Sequence, residues 1–183
     1  MASVLVPLAQ GCEELEAVTV IDLLRRAGID VITAGLDAQP VHASRGVTLL
    51  PDMTLDAALQ QEFDMIVLPG GLPGADHLRD DPRVIDLLKK MAAADRYTAA
   101  ICAAPRVLAH AGLLDGKRAT SFPGALDVGA VPGIDYQEAA VVIDDKVITS
   151  RGPGTAMDFA LTLIETLVGR QERDAVEAGL QRG

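Results

Sequence analysis

Apolar residues along this chain fall into short continuous runs alternating with longer stretches of helical character. Val4-Leu5-Val6-Pro7-Leu8 is an apolar run of strand length, and a helix is predicted from about Glu13 to Ala27, stopping at Gly28. Asp30–Leu36 supplies a second strand. Val41–Leu50 reads as an extended excursion or hairpin, kinked at Ser44-Arg45-Gly46. Met65-Ile66-Val67-Leu68 is a third core strand, closed abruptly by Pro69-Gly70-Gly71. Pro82 opens a helix through about Ala94, and Thr98–Ile101 is the strand after it. Ala140–Ile143 and Lys146–Ser150 flank Asp144-Asp145 as a hairpin. Thr155–Val168 is predicted as a helix with Ala156, Ala160, Leu163 and Leu167 on one face. The tail, Arg170–Gly183, is charged and reads as a short helix with a frayed end. Strands alternating with helices at this spacing predict a mainly parallel, three-layer α/β sheet. No repeat, low-complexity tract or linker interrupts the pattern, so residues 1–183 are expected to form one domain.

Composition narrows the class. A chain of 183 residues that is 49% hydrophobic suits one well-cored domain. Two cysteines exclude a disulfide framework and suit a reducing cytosol. Ser3–Ala9 is too short for a signal-peptide core and lacks a basic flank, and no apolar stretch is long enough to span a bilayer. A soluble, cytoplasmic protein without membrane contact is expected. The net charge of −10 argues against nucleic-acid binding, which needs a basic footprint.

In parallel sheets, sites gather beyond the carboxyl ends of the strands. Three segments fall there: Gln10-Gly11-Cys12-Glu13-Glu14-Leu15-Glu16, Pro69-Gly70-Gly71 and Cys102-Ala103-Ala104. In Ala99-Ala100-Ile101-Cys102-Ala103-Ala104-Pro105 a strand, a cysteine and a helix start follow one another, the layout of a nucleophile elbow. The helix N-terminus is expected to favour the thiolate of Cys102. The plain alternative is a space-filling buried cysteine. Neither glycine segment has a phosphate-binding pattern, and carboxylates after the first strand would repel a pyrophosphate. Glu13 and Glu14 are explained by the helix dipole alone. Glu16 sits further in, beside Leu15, Ala17 and Val18, and is expected to turn inward. A carboxyl buried near the thiol would have a raised pKa and could exchange a proton with it. Gly70-Gly71, lacking side chains, could bring a backbone N–H close enough to stabilise an oxyanion together with that of Ala103, although a tight turn explains the glycines equally well.

Together, Val67-Leu68-Pro69-Gly70-Gly71, the Cys102 segment, Thr149-Ser150-Arg151-Gly152-Pro153-Gly154-Thr155 and Gly11-Cys12-Glu13-Glu14-Leu15-Glu16 resemble, in matching order, the ThiJ/PfpI superfamily. The similarity is to its DJ-one type and, within that, to the YajL-like bacterial branch. The resemblance implies a flavodoxin-like sandwich, a homodimer, Cys102 as nucleophile and Glu16 as its partly protonated partner. It also implies Gly71 and Ala103 as the backbone donors, and Arg26 and Arg45 as basic residues near the dimer interface and site. The implied activity is glutathione-independent conversion of methylglyoxal or glyoxal to hydroxy acids, or removal of early glyoxal adducts from amines and thiols. The alternative is a redox sensor or chaperone acting through oxidation of Cys102. Neither cofactor nor metal is expected: His42, His77 and His110 are dispersed and, with two cysteines, show no metal spacing. Where some branches carry a histidine, this chain has Phe122, in Thr120-Ser121-Phe122-Pro123, which disfavours a peptidase. Cys12 is unusual for the family, and an oxidised pair with Cys102 is one alternative for it.

Overall fold

The computed structural model describes residues 1–182; of the predicted tail, Gly183 lies outside the described residues. Strand β1 (Ser3–Leu8) leads into helix α1 (Glu14–Arg26), and β2 (Asp30–Gly35) follows. A small hairpin, β3 (Val41–His42) with β4 (Thr48–Leu49), precedes β5 (Met53–Thr54) and the short α2 (Leu55–Ala58). Then come β6 (Met65–Leu68), α3 (Gly74–Asp80), α4 (Pro82–Ala93), β7 (Tyr97–Ile101) and α5 (Pro105–His110). Short strands β8 (Arg118–Ala119) and β9 (Asp135–Tyr136) pair beside the sheet. The chain closes with β10 (Val141–Asp144), β11 (Val147–Ser150), α6 (Ala156–Val168) and α7 (Arg170–Gly179).

Seven strands form the main sheet in the order β10-β11-β7-β6-β1-β2-β5, all neighbours parallel except the β10–β11 hairpin. The period of two sorts its residues between two cores. Val4, Val6, Leu8, Val67, Ala99 and Ile101 face α1 and α6, whereas Leu5, Ile66, Leu68 and Ala100 face the layer built by α4 and α5. Both faces are covered, which is why the central strands read as unbroken apolar runs. The predicted elements are present, with ends shifted by one or two residues. In the last hairpin Asp144 belongs to the strand and Asp145 takes the left-handed turn position, φ 56°. Among the described residues no helix is long and apolar enough to cross a membrane.

From β1 the chain moves outward to β2, and later places β6 on the other side of β1. The strand order therefore reverses beside β1, and the loops after β1, β6 and β7 open onto one crevice.

Candidate active site

Cys102 stands at the turn between β7 and α5 with φ 63°, a left-handed conformation that a non-glycine residue adopts at a cost of about 1–3 kcal/mol. The turn is held from both sides: the Cys102 N–H donates to Ser150 O at 2.9 Å, and the Phe122 N–H donates to Cys102 O at 2.8 Å. The thiol is buried, 9% exposed.

Glu16 reaches the same point from the first turn of α1. Its residue is wholly buried, and Oε2 accepts the Gly70 N–H at 2.8 Å. Oε1 is buried without a conventional hydrogen-bond partner. Gly70 explains how close the two groups lie, since a β-carbon there would come within 2.7 Å of both Cys102 Cβ and Glu16 Oε2. Gly71, at φ 85°, is pressed against the Cys12–Glu13 backbone with no room for a side chain. The backbone N–H groups of Gly71 and Ala103 face the Cys102 sulfur.

Burial pushes the Glu16 carboxyl up to about 7; the Cys102 thiol and the Gly70 N–H oppose this, and the charge of Glu13 adds to it. Burial, then the neighbouring Glu16 carboxylate, push the Cys102 thiol up to about 12, against the two backbone N–H groups. This corrects the expectation that the helix N-terminus makes Cys102 easier to ionise. Helix α5 is six residues long, and desolvation beside a carboxylate outweighs its first N–H groups. The two groups titrate as a unit: the first proton leaves the pair near neutrality, and the second is hard to remove.

The structure brings Cys102, Glu16, Gly71 and Ala103 together, and Gly70 emerges as the donor to Glu16. It does not bring Arg26 to them. Arg26 lies in the last turn of α1, ten residues and roughly 15 Å along the helix from Glu16, paired at the surface with Asp22 at 2.8 Å. The Arg45 side chain is exposed at the rim, its guanidinium 3.9 Å from Glu13 Oε2. Cys12 is a free thiol, as is Cys102, and is fully buried; burial, with Glu14 next, pushes it up to about 11.

Two roles escaped sequence reasoning. Glu13 and Glu14 do more than favour a dipole, because both are buried and grip the β3–β4 turn. Ser44 donates its hydroxyl to Glu13 at 2.8 Å, and the N–H groups of Arg45 and Val47 donate to Glu14 at 2.9 and 3.3 Å. Arg106 is the second case. It donates to Ala125 O at 3.1 and 2.8 Å and to Asp76 Oδ1 at 2.9 Å, tying the loop after Phe122 to α3. A cation in the first turn of α5 opposes the helix dipole, and that was the available signal that it has fixed partners. A separate cleft of about 560 Å³, lined by Gln10, His77 and Arg83 among others, lies at the ends of β1 and β2 and does not include the thiol.

A mainly parallel α/β sandwich with a left-handed cysteine at a strand–helix turn, facing a buried glutamate, defines a flavodoxin-like protein of the cysteine-elbow class. The DJ-1/PfpI family pattern matches residues 2–166, and the chain belongs to that family. It is 46% identical over 179 residues to "Parkinson disease protein 7 homolog" of Danio rerio, covering 96% of this chain and 95% of that one. It is 37% identical over 175 residues to "Glutathione-independent glyoxalase DJR-1.2" of Caenorhabditis elegans, covering 96% and 92%. The crystal structure of Drosophila melanogaster DJ-1beta superposes with a TM-score of 0.93 at 42% identity, covering 100% and 98%. Against "Protein DJ-1 homolog A" of Arabidopsis thaliana the chain spans only 45% of the relative's length.

Proposed function

We propose that this protein is a glutathione-independent glyoxalase that converts 2-oxoaldehydes to 2-hydroxy acids through Cys102 and Glu16. The observation that carries the reading is the wholly buried Glu16 carboxyl, raised to about 7 and separated from Cys102 by a glycine that admits no side chain. A relative sharing 37% of its residues and bearing the glyoxalase name supports the reaction class.

In the one-proton form of the pair the proton rests on the Cys102 thiol, and it passes to the Glu16 carboxylate as the sulfur attacks the aldehyde carbon. The C–S bond forms as the carbonyl electron pair moves to oxygen, where the Gly71 and Ala103 N–H groups receive it and Glu16 delivers its proton. The Glu16 carboxylate then takes the proton from the former aldehyde carbon and returns it to the adjacent carbon through an enediol. A 2-hydroxy thioester results, and water cleaves it to release the hydroxy acid and the thiol. One carbon is oxidised and its neighbour reduced by the same two electrons, so the balance closes without an external oxidant. Early glyoxal adducts of amines or thiols enter the same path once the hemiaminal or hemithioacetal reverts to the free aldehyde and releases the amine or thiol, and the Cys102 sulfur then captures that aldehyde.

A redox reading shares the site, because a protonated Glu16 and two N–H groups would also hold the oxygens of a Cys102 sulfinate. A chaperone role belongs with that alternative. A homodimer is proposed through the outer face of α1 and the β3–β4 hairpin, where Leu15, Val18, Val47 and Leu50 are exposed.

The test is lactate production from methylglyoxal without glutathione or added metal. Wild type is expected to produce lactate, Cys102→Ala none, and Glu16→Gln about 10²–10⁴-fold less. No lactate above a protein blank would overturn the reading and turn attention to the mass of oxidised Cys102.

A further inference from the structure

Two large apolar side chains that stand in solvent belong to segments whose backbone meets Cys102. Leu72, 53% exposed, follows Gly71, whose N–H faces Cys102 Sγ. Phe122, 48% exposed, is joined to Cys102 O by its own N–H, and its ring leans on Gly152, where a β-carbon would stand 3.3 Å from the ring edge. Gly152 in turn follows the strand end that receives the Cys102 N–H. Both side chains are therefore anchored within a residue or two of the reacting atom. Scattered surface apolar residues need no explanation, but two of them flanking a nucleophile do.

Several polar groups nearby are already engaged. The Gly70 N–H is given to Glu16, and the Ser121 hydroxyl lies 3.2 Å from the Tyr136 hydroxyl, which donates to Ser121 O. Arg106 fixes the frame, since one guanidinium holds both the loop beyond Phe122, at Ala125 O, and helix α3 behind Leu72, at Asp76. On the side of Phe122 and Leu72, away from Arg45, the outer part of the site is thus apolar and braced, while the inner part carries the thiol, the carboxyl and the N–H donors.

We propose that Phe122 and Leu72 are specificity residues that contact the substituent on the ketone carbon. The substrate class they select is 2-oxoaldehydes bearing an alkyl or aryl group, in preference to glyoxal, which bears only hydrogen there. The inference rests on the proposed glyoxalase reaction. An apolar contact strengthens as the substituent grows, and each methylene in an apolar pocket changes discrimination by about 10–200-fold, the lower end applying to an open mouth. A hydrogen-bonding side chain at position 122 would instead hold water there, and the substituent would have to displace it.

The experiment compares kcat/KM for 4-methyl-2-oxopentanal and for glyoxal in wild type, Phe122→His, Phe122→Leu and Leu72→Ser. Dividing the wild-type ratio by a variant's ratio removes the intrinsic reactivity of the two aldehydes. The expected result is a fall of about tenfold in the ratio for Phe122→His and a few-fold for Leu72→Ser, with Phe122→Leu keeping most of it. Both positions are half exposed, so melting curves are expected to show folded variants, and Leu72→Ser carries the test if Phe122→His melts early. Ratios within twofold of wild type in both polar variants would overturn the inference and leave the glyoxalase reading standing. Turnover of neither aldehyde by wild type would overturn that reading, and this inference with it.

Discussion

At the scale of single residues, Glu16 is the point where stability and chemistry oppose each other. Its ordinary value of 4.5 is raised to about 7 by burial, so the fold favours the neutral acid. Between those values the unfolded chain releases this proton and the folded chain keeps it. The contribution of Glu16 to stability is therefore intact below pH 4.5, declines as pH rises to about 7, and stays low above it. The interval corresponds to about 3 kcal/mol. Glu16→Gln, which cannot ionise, is expected to melt on the order of 5–10 °C above wild type at pH 8 and close to it at pH 4. Thermal melts of both proteins across that range check the sign, and a variant no more stable at pH 8 than at pH 4 relative to wild type would contradict it. The inward turn of Glu16 was legible because it sits beside apolar neighbours past the first helical residues. The raised thiol was not, because the local pattern around Cys102 shows the helix start and hides the carboxylate contributed from eighty-six residues earlier.

At the scale of elements, the contacts that orient the site run between segments distant in sequence. Glu14 is the clearest case. Burial pushes its carboxyl up, but the backbone N–H groups of Glu14, Arg45 and Val47 and the Ser44 hydroxyl outweigh burial and hold it below the usual range. A lowered carboxyl contributes stability above its unfolded value of 4.5 and loses it as pH falls through the folded value. Glu14→Gln leaves buried N–H groups short of an acceptor, and is expected to cost about 1–3 kcal/mol at pH 7. The two proteins should converge in acid, with faster proteolysis of the variant at Ser44–Val47 under neutral conditions. Equal denaturation midpoints at pH 7 would show that the hairpin does not depend on this carboxylate. The hairpin itself was legible from the kink at Ser44-Arg45-Gly46, but its attachment to α1 was not. An acidic first helical turn has a sufficient local explanation, and a contact across about thirty residues leaves no period in the sequence. Arg106 escaped for the same reason, although its place in the first turn of α5 was a visible anomaly.

At the scale of the molecule, the parallel sheet carries the rigidity and the crevice borrows it. Strands β1, β6 and β7 lie at its centre with both faces covered, whereas the stretch between β8 and β9 is largely exposed and tied mainly through Arg106 and short turns. Hydrogen exchange is expected to be slowest for Val4–Val6, Ile66–Leu68 and Ala99–Ile101 and fastest between Gly124 and Gly133. Uniform protection across these segments would contradict this division. The alternation of strands and helices was legible because central strands of a covered sheet must be apolar on both sides. Residues 111–137 offered no such period, since β8 and β9 have two residues each and lean on the rest of the molecule for their shape. The left-handed turn at Cys102 has a further consequence for how such a chain changes over generations. Glycine at position 102 would relax that backbone, just as glutamine at position 16 would relieve the buried charge, and either change would silence the proposed chemistry. Lineages kept under heat but released from any demand for activity would therefore drift first at these two positions, and the hardiest descendants would be inert.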